Sequence, residues 1–414
     1  MPARYLMNLP AKSKKIFNLE PSQKSFYMSE IQDRFQSIRS YNDDEVNSII
    51  NGLLEEGQFS KILSFAYPEN EVRLIRQHLK KIETIKDFQK DVVYFFVSKV
   101  KDRIISNLSF SGLQHLDPRK TYLFMSNHRD IILDSALLNI ILHENGFTTT
   151  ENAIGSNLLL LPWIEKLVRL NKSFIVKRNL PVREMLQASR ELSEYIYHTL
   201  HEKKNPVWIA QKEGRTKDGN DKTHPGLLKM LTIAYDTSII RSFKKMNIVP
   251  VSISYEIEPC VHNKTVELYT KFETGKYEKA PKEDLRSMQG GLNSYKGRVH
   301  ISFGKPIKRK LLKLKRIHNR NEQFAKLAQI IDSQIYKNYK LFPGNYAAYD
   351  ILFNTDYFKD RYTDLEFEEF KTHMNKEIED IKGNKKIIKM LFLGIYANPV
   401  INKYTLRQKP IAFV

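Results

Sequence analysis

The sequence predicts an α/β protein with a central mixed sheet flanked by helices and with helical N-terminal and C-terminal extensions. Three observations lead to this class. Between residues 101 and 310, short β-rich runs alternate with amphipathic stretches, the signature of strands crossed over by helices. On either side of that region apolar residues recur at helical spacing. No run of 18 apolar residues exists, so the hydropathy pattern predicts no membrane-spanning helix. The expected organisation is a helical region over 1–100, an α/β core over 101–310, and a helical basic and aromatic region over 311–414.

In the first region, Val46, Ile49, Ile50, Leu53 and Leu54 follow a cap-like Asn42-Asp43. Val72, Ile75, Leu79 and Ile82 repeat the pattern after Pro68, and Val92–Val97 with Val100 begins a third stripe. The stretch Met1–Phe17 is basic but lacks an apolar core of signal-peptide length. In the core, the expected strands are Tyr122–Met125, Phe174–Val176, Val207–Ala210, Ile248–Tyr255, Val266–Tyr269 and Val299–Phe303. The expected helices are Asp134–Leu142, Ile164–Leu170, Pro181–His201 and Gly226–Asp236, with Pro181 and Pro225 where helix starts tolerate proline. Pro250 inside its run predicts an edge strand or a strand start. In the last region, Phe324, Leu327, Ile330, Ile331 and Ile335 form one stripe. Phe367, Phe370, Met374 and Ile378 form another, with a loop holding Pro343-Gly344 between them.

Composition narrows the function. The chain has 414 residues, 41% hydrophobic and 28% charged, an ordinary globular mixture. A single cysteine, Cys260, excludes an intramolecular disulfide, argues against a cysteine-based metal cluster and fits a reducing compartment. No metal site is expected. The formal net charge of +20 favours anionic partners. Ten Lys and Arg with no acid fall between Lys296 and Arg320, centred on a run in which Leu and Ile interleave with the cations. Such a run either lies on anionic lipid or forms a solvated face. Zinc-finger spacing, RNA-recognition aromatics and a clear helix-turn-helix are absent, so no nucleic-acid partner is expected.

The chemistry concentrates after the expected strands. Ser126-Asn127-His128-Arg129-Asp130-Ile131-Ile132-Leu133-Asp134 places an imidazole beside two acids, between apolar runs. An imidazole near neutrality can take a proton from a hydroxyl, and a carboxylate on its far nitrogen fixes the tautomer. Phe174-Ile175-Val176-Lys177-Arg178 delivers two cations at a strand end, suited to phosphate oxygens. Val207–Ala210 runs into Gln211-Lys212-Glu213-Gly214-Arg215-Thr216-Lys217, where Gly214 permits positive φ or close approach. Pro250 lies in Ile248–Tyr255. His198 and His201 are read as a solvated helix face, and Asp218-Gly219-Asn220-Asp221 as a turn.

In this order and spacing, the four segments resemble the glycerolipid acyltransferase family, the glycerol-3-phosphate and 1-acylglycerol-3-phosphate acyltransferases, over roughly residues 120–305. The resemblance implies that His128 is the general base, that an aspartate orients it, and that no covalent acyl-enzyme forms. It implies Arg178, with Lys177, on the acceptor's phosphate, and Glu213, Gly214 and Arg215 shaping the rest of that site. Pro250 would line the acyl-donor side. Two departures are visible. Five residues, not four, separate His128 from Asp134, which makes Asp130 a second candidate. Arg215 follows Gly214 directly, so either Arg215 or Lys217 would reach the substrate. The expected activity is transfer from acyl-ACP or acyl-CoA, without a further cofactor, to a phosphorylated or lysolipid hydroxyl in phospholipid biosynthesis. The expected setting is peripheral, at an anionic cytoplasmic membrane face. The alternative is a catalytically inactive basic module that binds membrane or nucleic acid. A serine hydrolase is disfavoured because no Gly-x-Ser-x-Gly elbow is present.

Overall fold

The computed structural model describes residues 34–406 except Tyr67; the Met1–Phe17 stretch read above for targeting lies outside them. The sheet has seven strands: β1 (Ile105–Ser111), β2 (Leu123–Ser126), β3 (Glu151–Gly155), β4 (Ser173–Val176), β5 (Val207–Ala210), β6 (Ile248–Tyr255) and β7 (Gly297–Phe303). Their order is β1-β7-β6-β2-β5-β3-β4. The block β6-β2-β5-β3-β4 is parallel, whereas β7 runs antiparallel to β6 and parallel to β1. The sheet is therefore mixed.

Strand side chains alternate between two cores. Leu123 and Met125 of β2, with Val207 and Ile209 of β5, enter a cluster with Leu192, Leu228, Phe243, Leu311 and Leu327. Phe124 and Trp208 point the other way, into a cluster with Val100, Leu137, Leu138, Ile141 and Leu142. The last four lie on the helix Leu133–Glu144, which covers that face of the sheet. Two further cores stand apart from the sheet. One gathers the helices Pro343–Phe353, Asp364–Ile378 and Lys385–Thr405 with Val261. The other gathers Val46, Ile50, Leu53 and Leu54 with Leu79, Phe88 and Leu170. The helix Asp43–Glu55 starts at Asn42, whose backbone N–H donates to the Glu45 carboxylate at 2.8 Å.

The structure differs from the sequence expectations at several points. Val266–Tyr269 is not a strand but part of the helix Val261–Thr274, where Val266 and Tyr269, three residues apart, pack on the C-terminal core. The helix expected over Gly226–Asp236 spans only Pro225–Leu231. Pro343 begins a helix rather than sitting in a loop, since an N1 proline gives up no helical hydrogen bond. Strands β1 and β3 were not expected. The first is largely exposed, and the second buries the polar Glu151 and Asn152. Glu151 is held there by Tyr195 (2.6 Å), Asn205 (3.0 Å) and Lys203. β6 is an interior strand and Pro250 is its third residue, although proline there predicted an edge or a strand start. Proline is tolerated because the antiparallel ladder to β7 stops at the Val251–Phe303 pair. The Pro250 carbonyl accepts from Gly304 N–H at 2.8 Å just past that end. In an extended residue the N–H points the same way as the carbonyl, so the missing donor faces the margin of the ladder.

Candidate active site

All five parallel strands end at one edge of the sheet, and β2 is the central strand of the seven, between β6 and β5. Crevices at such edges hold ligands. Here the edge opens into a cavity of about 1100 Å³ lined by His128, Lys177, Arg178, Glu213, Gly214, Arg215 and Lys217, with Ile154, Leu158, Leu180, Met185, Leu192 and Met230 supplying apolar wall.

His128 follows β2 closely. Its Nδ1 lies 2.8 Å from Asp134 Oδ2. Asp134 is fully buried in the first turn of the helix Leu133–Glu144. Its Oδ2 also accepts the backbone N–H of Arg129 (2.6 Å) and Asp130 (3.1 Å), and its Oδ1 accepts the Tyr255 hydroxyl (2.8 Å). Burial and the Asp134 charge push the Tyr255 phenol well above its usual range, so it remains a donor. Four donors thus fix the carboxylate, and the carboxylate fixes the ring. Trp208 packs edge-on against the imidazole, centroids 5.6 Å apart. Nε2 is the nitrogen left to the cavity.

Asp130, the other candidate partner, does not face His128. Its Oδ1 accepts the N–H groups of Ile132 (3.0 Å) and Leu133 (2.9 Å), capping the helix that carries Asp134. The extra residue between His128 and Asp134 is absorbed in that capped turn. Arg178 is paired with Glu213 at 2.8 Å across the cavity mouth. Lys177 turns toward Glu191 (2.9 Å), and Lys217 is held by Glu267 (2.5 Å). Arg215 lines the cavity, half-buried, and makes no ion pair among the described residues. Gly214 has φ +69°, a conformation that suits glycine. Pro250 is buried within β6 and is not among the residues that line this cavity.

Sequence reasoning missed the support beneath the dyad. Arg129 is buried between Asp221 (2.6 Å) and Glu258 (3.2 Å). Lys264 reaches Glu258 at 2.5 Å and the Arg129 carbonyl at 2.9 Å. The Tyr339 hydroxyl donates to Asp221 at 2.6 Å. Burial works against the Arg129 charge, but Asp221 and Glu258 outweigh it and raise its pKa. Two cations and two anions therefore offset one another within a buried layer next to His128. Asp221 belongs to the segment read as a simple turn, and its burial had no local signal. His198 and His201 are not a solvated face either. His198 pairs with Glu202 at 2.7 Å, and His201 meets the Tyr235 hydroxyl at 2.8 Å, its burial holding its pKa down at about 4.

Residues 107–254 match the family model described as Acyltransferase. That span runs from β1 into β6 and includes His128, Asp134, Arg178, Glu213, Arg215 and Pro250. Among solved structures, the crystal structure of the 1-acyl-sn-glycerophosphate (LPA) acyltransferase PlsC from Thermotoga maritima is similar at 14% identity and a TM-score of 0.30, covering 69% of this chain and 92% of that one. No curated protein matches.

Proposed function

We propose that this chain, which carries an acyltransferase-family domain over residues 107–254, moves a fatty acyl group from an acyl thioester to the hydroxyl of a glycerol-phosphate or lysophospholipid acceptor. The observation that carries this reading is the 2.8 Å bond between His128 Nδ1 and the buried Asp134, with the ring lining a cavity whose mouth holds Arg178 and Arg215. His128 Nε2 takes the acceptor's hydroxyl proton as its oxygen attacks the thioester carbonyl. A carbon–oxygen bond forms, the carbon–sulfur bond breaks, and the imidazolium returns the proton to the departing thiolate. Asp134 holds the ring and stabilises its transient charge. Acyl carrier protein or coenzyme A would deliver the chain, and no step requires a further cofactor. The setting we propose is phospholipid biosynthesis at a cytoplasmic membrane face.

The test is incubation of the purified protein with a labelled acyl thioester and matched acceptors with and without a phosphate, followed by lipid separation. An ester product on the phosphorylated acceptor supports the reading; an unconsumed thioester under every condition contradicts it. Arg215→Ala is expected to raise KM for the phosphorylated acceptor by about 10- to 100-fold, the loss of one charge-assisted contact. Steady-state kinetics on both acceptors checks this, and an equal loss on both would remove Arg215 from phosphate binding.

Among the described residues no helix is long and apolar enough to cross a membrane. The basic run supports a peripheral contact. Residues Ile307–Arg316 form a 3₁₀ stretch that buries Ile307, Leu311 and Leu314 and exposes Lys308, Arg309, Lys310, Lys313, Lys315 and Arg316. It leaves β7 toward the sheet end away from His128, since β7 is antiparallel to β6. Its buried residues join the same core cluster as Leu192 and Tyr195 of the helix Val182–His201, so both elements lie on one face of the sheet. Reversing Lys308, Arg309, Lys313 and Arg316 to Glu is expected to weaken binding to anionic vesicles at least tenfold at low salt, at about 1 kcal/mol per cation near the surface. Flotation across a salt series checks this. Turnover of a soluble acceptor is expected to persist.

A further inference from the structure

β6 and β7 are antiparallel neighbours, a geometry that a turn of about two to five residues can close. Residues 256–296 join them instead. They leave β6 at the edge where β2 runs into His128, because those two strands are parallel. This segment lies beyond the span 107–254 that matches the family model. It brings Glu267, Leu268, Lys271, Lys279 and Asp284 to the cavity wall. The C-terminal helices hold it in place. Val261 packs in their core, the Tyr396 hydroxyl accepts the Glu258 N–H at 3.1 Å, and the Tyr269 hydroxyl accepts the Asn384 N–H at 2.8 Å.

Positive charge is in excess on this wall. Buried Glu267 is shared by Lys217 at 2.5 Å and Lys271 at 2.7 Å. Buried Asp284 accepts from Lys279 at 2.6 Å and from Asn157 at 3.0 Å. Burial works to raise the pKa of both acids, but these partners, with Arg215 also acting on Asp284, outweigh it and keep both carboxylates ionised. Burial lowers the Lys217 pKa, and the Arg215 charge adds to that. Over the whole cavity seven Lys and Arg stand against four acids. Glu213 matches Arg178, and Glu191, outside the cavity, matches Lys177. The other five cations face three acids, a surplus of two charges and about what one phosphate ester brings.

We infer that the segment between β6 and β7 gives the cavity an anion subsite, formed by Lys217, Lys271 and Lys279 beside Arg215, that takes a phosphate ester group of a substrate. Lys271 and Lys279 are nearly half exposed, so their ammonium groups can turn from their acids to a ligand, as point charges that suit phosphate oxygens. Acyl transfer has two such groups to hold at once. The acceptor carries one, and the pantetheine arm of an acyl carrier protein or coenzyme A thioester ends in another. The choice of ligand rests on the acyl-transfer reading; the subsite itself does not.

The test compares Lys271→Met/Lys279→Met with Lys271→Arg/Lys279→Arg in the full chain, with thermal melts to confirm folding. kcat/KM is measured on two matched pairs. One is lysophosphatidate against the monoacylglycerol that lacks its phosphate. The other is an acyl-coenzyme A against the same acyl-pantetheine, which carries no phosphate. In the Met variant the preference for the phosphorylated member of a pair is expected to fall at least tenfold, and the Arg variant is expected to keep it. A fall in the acceptor pair assigns the subsite to the acceptor's phosphate, and a fall in the donor pair assigns it to the donor's. An unchanged preference in both pairs overturns the subsite. An equal fall in the Arg variant also overturns it and marks the lysines as packing groups. A wild-type protein that transfers no acyl group contradicts the acyl-transfer reading, and equilibrium dialysis with labelled inorganic phosphate then decides the subsite alone. Affinity at least tenfold lower in the Met variant supports it, and equal affinity overturns it.

Discussion

His128→Ala is expected to lower acyl transfer by about 10³-fold while the protein stays folded. Among the described residues lining the cavity, the ring combines a nitrogen open to that space with a buried carboxylate on its other side. Removing it leaves Arg178, Arg215 and the apolar wall of the cavity in place, so KM is expected to move little. Asp134→Asn is expected to be nearly as damaging. The amide retains a side chain of the same shape beside Tyr255 and the two backbone N–H groups, but its Oδ2 position no longer carries the charge that matches an imidazolium. Asp130→Asn is expected to alter stability more than turnover, because Asp130 bonds backbone amides and not the ring. Steady-state kinetics with thermal melts on the three variants checks these outcomes. A His128→Ala protein with near wild-type turnover would remove the general base, and a defect confined to Asp130→Asn would overturn the pairing.

Arg129→Met is expected to destabilise the protein by about 3–5 kcal/mol, because it strands Asp221 and Glu258 in a buried layer. The methionine fills much of the space but supplies no donor. Lys264 remains to serve Glu258, and Tyr339 remains to serve Asp221. Neither replaces the guanidinium that joins the two acids. Adding Asp221→Asn to Arg129→Met is expected to recover part of the loss, since it removes one of the uncompensated charges. Chemical denaturation of the single and double variants checks this. A single variant as stable as the wild type would mean that the network contributes little to holding the loop of His128.

The dyad was legible because a polar segment interrupts two apolar runs, and strand ends in parallel sheets expose such segments to a common crevice. The sequence favours Asp134 as the partner of His128 because it opens the apolar helix, with Asp130 as a second candidate. Both lie within reach along the chain, and only the capped turn at Ile132 and Leu133 separates their roles. The buried charges beside the dyad were hidden for a different reason. Arg129 meets Asp221 and Glu258 across 92 and 129 residues of sequence, and no local pattern announces such a pair. The strands with alternating or continuous apolar residues were found, whereas β1 and β3 were obscured by polar side chains whose partners are distant. Pro250 misled because proline usually marks an edge; here the ladder to β7 ends at the next residue.

The central claim is direct transfer from thioester to acceptor hydroxyl at His128. Acid-quenching a turnover mixture of enzyme, acyl thioester and lysophosphatidate, then weighing both the intact protein and the lipid by mass spectrometry, tests it in one measurement. The account predicts a new ester in the lipid fraction and a protein of unchanged mass. A protein heavier by one acyl group, with the ester appearing only as that mass is lost, would contradict it.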